Sequence, residues 1–513
     1  MLKKIIHRVF GKAAESAIKD APAKADKTIK VIKSGQTSIA SKRLEVPLKT
    51  HGINRDLIDE RAIEIVETLQ DAGFEAYIVG GAVRDLLLGL HPKDFDIATD
   101  ATPEEVKGLF RRAFIIGRRF RIVHVIFGRG RQDRGLSDVF EVSTFRANVD
   151  SADAPKLKGN ERSQKTALEG MKHAVDASGR VLRDNVWGNL ASDAVRRDFT
   201  VNALYYDPSS EVVVDYHGGI ADAKKRVIRM IGEPSARYRE DPVRIIRAVR
   251  FAAKLSKLGF KLEPKTAEPI KKLKKLLDDV PPSRLFDEML KLVQTGHASA
   301  SIQTLKELGL ERGIYPLLDV IVERAHHPIV HGMLNDTDAR VALGKPVAPS
   351  YLLACVLWSD VLEGWAARRT GRAPFEKMPA FPALAESVDA VFEERIGDVS
   401  GRGKLSADMR EIWMMQPRFK KRVGSSPHSL VEHLRFRAGF DFLRLRGQSD
   451  EANASELAEL ASWWQDFQDA DHAGRMALIE QAKSQPKVFG EKTSKPRRKR
   501  KPKSASPQAN SSE

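Results

Sequence analysis

From Asn54 to Gly218 short apolar strands alternate with short helices. From about Ile220 to residue 485 the strand signals almost cease and amphipathic helical runs replace them. That switch constrains the fold more than any other feature. Alternating strands and helices build a sheet with helices laid on it, whereas a long series of amphipathic helices must bury its apolar stripes on one another. The expected architecture is an α/β head on a small mixed β-sheet, followed by an all-α C-terminal region.

The local signals support this reading. NRDLIDERAIEIVETLQDAG places Leu57, Ala62, Ile63, Ile65, Val66 and Leu69 on one broad helical face and stops at Gly73. EAYIVGG is a buried strand running into a glycine pair, AVRDLLLG a two-turn helix and DFDIAT strand-like. TPEEVKGLFRR is a helix with Thr102 as N-cap and Pro103 at its first position. RIVHVIFG and DVFEVSTFR are rich in β-branched and aromatic residues and read as strands, and NALYYDPSSEVVVDYHGG as a final hairpin. Residues 148–180 lack a pattern and read as a long mobile loop. The expected organisation is a flexible basic arm over 1–50, a head over 51–206, a connecting neck over 207–300, a helical body and tail over 301–485, and a disordered basic tail over 486–513.

Composition narrows the class. Of the 513 residues 42% are hydrophobic, enough for a real core, and the single Cys355 excludes an intrachain disulfide framework or a multi-cysteine zinc site. No run approaches the roughly 18 apolar residues of a membrane-spanning helix, so no membrane association is expected. The net charge of +17 is concentrated at the ends. Residues 1–44 hold 11 Lys and Arg against 3 acids, and residues 484–513 hold 9 against 2. The long stretch between them is nearly balanced. Tails of this kind attract polyanions through salt-sensitive contacts, although they can also serve solubility alone.

The chemistry-bearing residues begin at Gly80-Gly81-x-x-Arg84-Asp85, followed by Asp94-Phe95-Asp96. A glycine pair after a strand lets backbone approach a ligand, and Arg84 in the next helical turn is placed to reach a phosphate. In extended chain Asp94 and Asp96 project to one side, with Phe95 turned to the core. Two adjacent carboxylates repel unless a cation lies between them, and Mg²⁺ favours carboxylates plus substrate phosphates. They could equally be solvated caps of a strand end. Glu141, on the strand VFEVSTFR, could supply a third acid. Together these groups form the inventory of metal-assisted phosphoryl transfer. Asp241 and Arg244, three apart, could read a base edge; they could also be an N-cap and a surface ion pair. Arg247 and Arg250 continue the spacing as a basic ridge suited to phosphates, or as a solvated face paired with acids. His326, His327 and His331 show no metal-ligand pattern, and Trp463-Trp464 reads as a core anchor.

The order of motifs EAYIVGGAVRDLLLG, HPKDFDIAT, EVSTFR, RRDFTVNALYYD and REDPVRIIRAVRFAAKL resembles the class II template-independent RNA nucleotidyltransferases, over roughly residues 55–300. That family comprises CCA-adding enzymes and bacterial poly(A) polymerases. IIGRRFRIVHVIF, DNVWGNLASDAVRRDFT and the basic C-terminus resemble the poly(A) polymerase branch, with CTP- and ATP-dependent CCA addition to transfer RNA as the alternative. The resemblance implies a nucleotidyltransferase fold and template-free addition of AMP from ATP to RNA 3′ ends. It assigns Gly80, Gly81, Arg84 and Asp85 to the triphosphate, and Asp94 and Asp96 to catalytic Mg²⁺, with two metals and Mn²⁺ able to substitute. Arg197 and Asp198 fall to the ribose and active-site geometry. Glu141 and Asp198 both stand as candidates for the third carboxylate, with Asp198 favoured. Asp241 and Arg244 become nucleotide-selecting. Arg247 and Arg250 would contact RNA, as would Arg497, Arg498, Lys499 and Arg500 in the tail. The resemblance further implies RNA-decay proteins as partners and a cytoplasmic location; it leaves the oligomeric state open. Residues 128–137 stand as an insertion relative to the family pattern.

Overall fold

The computed structural model describes residues 42–117, 121–127, 139–147, 156–157, 173–176, 181–184, 186–373, 375–395 and 403–484. The expectations for the two basic tails, including Arg497, Arg498, Lys499 and Arg500, and for the insertion at 128–137 lie outside the described residues.

The strands of the main sheet are β1 (Leu44–Pro47), β2 (Ala76–Val79), β3 (Asp96–Thr99), β4 (Ala113–Ile116), β5 (Ile122–Ile126) and β6 (Val139–Thr144). Three short strands follow, β7 (Lys156–Leu157), β8 (His173–Asp176) and β9 (Val181–Asp184), before the hairpin β10 (Leu204–Asp207) and β11 (Val212–Asp215). Eight of these form one sheet in the order β1-β11-β10-β2-β3-β6-β5-β4. Within it β3 and β6 run parallel, and the other neighbours are antiparallel. The sheet is therefore mixed, as expected.

Period-two alternation divides the sheet into two faces. One face packs Ile78, Ile97, Val123 and Val142 against Ile65, Val66 and Leu69 of helix Glu60–Asp71 and against Val106 of helix Pro103–Leu109. Asp59 caps the first of these helices through the Arg61 N–H, and Thr102 with Glu105 forms a capping box on the second. Ile65 is fully buried, and its replacement by Ala would cost about 3 kcal/mol. The other face is covered only in part. Helix Leu190–Arg196 sets Leu190 and Ala194 on Tyr77, Val79, Ala98 and Tyr205.

The structure departs from the sequence reading in three places. The arm expected over 1–50 ends earlier, because Leu44–Pro47 pairs with β11 and adds an edge strand. The polar stretch 148–180 is not wholly a loop: β7 and β8 lie within it and form a three-stranded sheet with β9, just beyond it. The region after Ile220 is not purely helical among the described residues: it holds the parallel pair β12 (Val227–Ile228) and β13 (Lys261–Leu262).

Beyond the sheet the chain is helical. A large apolar cluster runs from Phe199 through helices Val243–Leu255 and Pro282–Gln294 to Trp413 and Leu445. A second core gathers Phe419, Phe436, Trp463, Trp464 and Phe467, which makes the tryptophan pair a core anchor. No helix of the described residues is long and apolar enough to cross a membrane.

Candidate active site

A cavity of about 540 Å³ opens between the incompletely covered side of the sheet and the first helices of the α-helical region. It brings together Gly80, Gly81, Arg84, Asp96, Arg197 and Asp198 from the head with Asp241, Arg244 and Arg247 from the neck. Of the sequence candidates, Asp85, Asp94, Glu141 and Arg250 are not part of its lining.

Gly80 ends β2 with φ of 77°, a left-handed geometry that glycine adopts without a Cβ penalty. It turns the chain into helix Gly81–Leu87. Arg84 on that helix is 1% exposed and does not hang free for a ligand. Its Nε and Nη2 donate to Oδ1 of Asp85 at 2.9 and 2.7 Å, and its Nη1 donates to Oδ1 of Asn202 at 2.9 Å. Asp85 therefore acts behind Arg84, fixing the guanidinium that forms part of the cavity wall.

Asp96 is the first residue of β3, and Asp94 lies in the loop before it, with buried Phe95 between. Parallel pairing places Glu141 of β6 directly beside Asp96. Asp96 keeps solvent access yet is surrounded by protein on most sides. Burial, then the negative charge of Glu141, pushes its carboxyl up to about 6, with Arg197 opposing and Asp94 adding to the rise. Negative charge thus accumulates here without a compensating ion pair on Asp96. Among the described residues no group of three or more His, Cys, Asp or Glu side chains converges into a closed metal cage. The donor set still suits Mg²⁺, which is commonly held by one or two carboxylates with substrate phosphates completing its shell.

Asp198, favoured from the sequence as the third catalytic acid, lines the cavity with Asp96 and is held by partners of its own. Its Oδ2 accepts from Arg247 Nε at 2.8 Å and Nη2 at 2.5 Å, and its Oδ1 accepts from the Phe199 N–H at 2.8 Å and Asn202 Nδ2 at 3.4 Å. Burial would raise this carboxyl, but Arg247 and these donors hold it below the usual range. Its charge is thus paired within the protein, whereas Glu141 is the acid that strand register sets beside Asp96.

Asn202 was not singled out from the sequence, although it lies in RRDFTVNAL. It joins Arg84 to Asp198, and hence the glycine turn to the neck helix Val243–Leu255 that bears Arg247. Arg197 is anchored on Asp193 and Tyr205, with Nε 2.9 Å from the Tyr205 hydroxyl and 3.2 Å from Asp193 Oδ2. Its Nη1 reaches the Asn202 carbonyl at 3.3 Å.

The selecting pair differs from expectation. Asp241 and Arg244 do not lie on one helix, and among the described residues their side chains do not pair, although the Arg244 N–H donates to the Asp241 carbonyl at 3.0 Å. Asp241 occupies the break between helix Pro234–Glu240 and helix Val243–Leu255, because Pro242 has no N–H to continue the first. Its Oδ2 accepts from Arg284 Nη2 at 2.6 Å. Arg244 pairs with Glu240 at 2.9 Å and donates to the Arg237 carbonyl at 2.9 Å. The ridge formed by Arg247 and Arg250 likewise turns inward. Arg247 binds Asp198, and Arg250 lies 3.6 Å from Glu288.

Lys254, another residue the sequence reading passed over, lines the cavity with Asp96 and the glycine turn. Burial lowers its ammonium pKa, with Arg84 adding to the effect and Asp85 opposing it. It follows Arg247 by seven residues on the same helix, two turns on, so helical spacing could have indicated it.

A sheet that sets carboxylates side by side next to an arginine-lined cavity has the parts of a nucleotidyltransferase. Family models match three stretches: "Poly A polymerase head domain" over residues 76–229, "Probable RNA and SrmB- binding site of polymerase A" over 259–321, and "Polymerase A arginine-rich C-terminus" over 376–504. The chain is 41% identical to poly(A) polymerase I of Salmonella typhi over 82% of its length and 85% of that protein. It is 40% identical to poly(A) polymerase I of Haemophilus influenzae over 83% of its length and 88% of that protein. A CCA-adding enzyme of Bacillus pumilus is 36% identical over 48% of this chain and 52% of that protein. Among solved structures, the Bacillus stearothermophilus CCA-adding enzyme in complex with CTP is 23% identical, covers 83% of this chain and 97% of that one, and has a TM-score of 0.43. The chain belongs to the poly(A) polymerase I family.

Proposed function

We propose that this chain extends RNA 3′ ends with AMP units from ATP, without a template, at the head–neck cavity. The oxygen of the RNA 3′-hydroxyl bonds to the α-phosphorus, the bond from that phosphorus to the bridging oxygen breaks, and pyrophosphate leaves. The hydroxyl proton is lost as the phosphodiester forms.

The observation that carries this reading is the juxtaposition of Asp96 with Glu141, direct partners on parallel strands, with Asp96 lining a cavity walled by arginines. Asp94 and Asp96 would hold Mg²⁺, with Glu141 as the third acid. Bound there, the metal would favour the ionised hydroxyl and neutralise charge building on the phosphorus; Mn²⁺ would serve in its place. Arg84 and Arg197, immobilised by Asp85, Asn202, Asp193 and Tyr205, would face the triphosphate with little reorganisation. Gly80 and Gly81 leave backbone room beside it.

Base choice would rest on Asp241 accepting from the adenine amino group and Arg244 donating to a ring nitrogen. Arg244 would have to exchange its contact with Glu240, whose side chain is 44% exposed and also pairs with Arg237, for the base. Asp198 and Arg247 would keep the neck in register with the head. The basic C-terminal tail, with Arg497, Arg498, Lys499 and Arg500, would hold RNA loosely. The matched RNA-binding model over 259–321 supports RNA as the polymer substrate. RNA-decay proteins as partners and a cytoplasmic site of action belong to this reading as further proposals.

The test is Asp94→Ala. The variant should retain the wild-type circular dichroism and melting behaviour and lose AMP incorporation into RNA. Incorporation at the wild-type rate would refute the metal assignment.

A further inference from the structure

The face of the sheet that bears the carboxylates continues past them. Directly paired residues share a face. Register sets Asp96 opposite Glu141, Glu141 opposite His124, and His124 opposite Phe114 on the edge strand β4. Helix Leu190–Arg196 covers this face only on the β2 and β10 side. At the far end Phe114 is 53% exposed and Ile116, on the same face, is 44% exposed. The alternate residues Ala113, Val123 and Val142 are buried in the core behind. An exposed aromatic on an edge strand is costly as a pairing hazard unless something uses it.

In-line displacement decides what lies on this side. The attacking oxygen and the leaving pyrophosphate occupy opposite sides of the α-phosphorus. Arg84, Arg197 and Lys254 line the cavity with Asp96, and on the reading above they would hold the triphosphate on that side. The RNA must then reach Asp96 and Glu141 from the β5 and β4 side, across His124. We propose that Phe114 is a stacking platform for a base of the RNA primer a few nucleotides upstream of its 3′ end. This rests on the adenylyl-transfer reading above. Three strand spacings separate Asp96 from Phe114, about 14 Å, which a stacked single strand covers in roughly four nucleotides. Stacking on one aromatic ring tolerates any base, as an enzyme tailing varied ends requires.

The experiment is steady-state ATP incorporation by the full chain, primed with a decanucleotide or a dinucleotide of adenylate. Phe114→Ala should raise KM for the decanucleotide roughly tenfold, with kcat at saturating primer and KM for ATP unchanged. For the dinucleotide, too short to reach β4, variant and wild type should coincide. Phe114→Tyr should restore the decanucleotide KM and Phe114→Leu should not. An unchanged decanucleotide KM in Phe114→Ala, or an equal penalty on both primers, would overturn the proposal while leaving adenylyl transfer standing. Failure of the wild type to incorporate ATP at all would overturn the underlying reading and the primer platform with it.

Discussion

Arg247 donates two hydrogen bonds to a single oxygen of Asp198, and this contact ties the neck helix to the RRDFT segment of the head. Removing either partner leaves the other charge, buried at Asp198 and partly exposed at Arg247, without this ion pair. Asp198→Ala is expected to lower unfolding free energy by about 3 kcal/mol, read by urea titration. The Asp198 carboxyl is held below its ordinary 3.8, so its contribution is present above that value and is lost as pH falls through the lower folded pKa. The deficit of the variant should therefore persist at pH 7 and shrink in acid. A variant as stable as wild type at pH 7, but inactive, would return Asp198 to the chemistry.

Asp96 behaves in the opposite sense. Its folded pKa, about 6, lies above the unfolded 3.8, so the folded state binds the proton more tightly and loses stability as pH rises between those values. Asp96→Asn should abolish incorporation and stabilise the metal-free protein at pH 7. The gain should be on the order of 1 kcal/mol, because the partly solvated side chain screens the repulsion. It should vanish below about pH 4. Thermal melts in chelator across pH 4–8 would show it, and a destabilised variant at pH 7 would contradict the charge accumulation described for this site.

Arg284 grips Asp241 from helix Pro282–Gln294, outside the motif that carries Asp241. On the proposed reading, an Asp241 freed from it would rotate and accept from cytosine as well as adenine. Arg284→Ala is expected to reduce the ATP-over-CTP ratio of kcat/KM by about tenfold, the effect of one lost positioning interaction near 1.4 kcal/mol. Equal discrimination in the two proteins would show that Arg284 does not set the geometry of Asp241.

Lys254 shares the cavity with Arg84 and Asp96. Its ammonium is suited to the triphosphate as a compact point charge. Lys254→Ala should raise KM for ATP by roughly tenfold, with Lys254→Arg intermediate and KM for long RNA unchanged. A rise confined to RNA would place this lysine on the primer side.

Much of this arrangement was legible in the sequence because it depends on local order. The glycine pair after an apolar strand foretold the turn at Gly80, and Thr102 with Pro103 foretold a capped helix. Asp94 and Asp96 fell near one strand end, although only Asp96 lies in the strand and Asp94 precedes it in the loop. What could not be read were the long-range partners. Asp198 and Arg247 are 49 positions apart, and nothing in either segment says that a salt bridge consumes both. Three-residue spacing suggested that Asp241 and Arg244 share a helix face, but Pro242 breaks the helix between them. Pairing of Leu44–Pro47 with β11 was hidden because its four residues are too few for a periodic signal. Asn202 and Lys254 carried no motif by themselves; their importance comes from where the neck helix meets the sheet.

The most direct measurement is nucleotide incorporation with Mg²⁺, offering ATP or CTP separately to a generic RNA and to a transfer RNA lacking its terminal CCA. Long extension of the generic RNA with ATP alone is the expected result. Addition of a few nucleotides, requiring CTP and confined to the transfer RNA, would contradict it and make this chain a CCA-adding enzyme built on the same head.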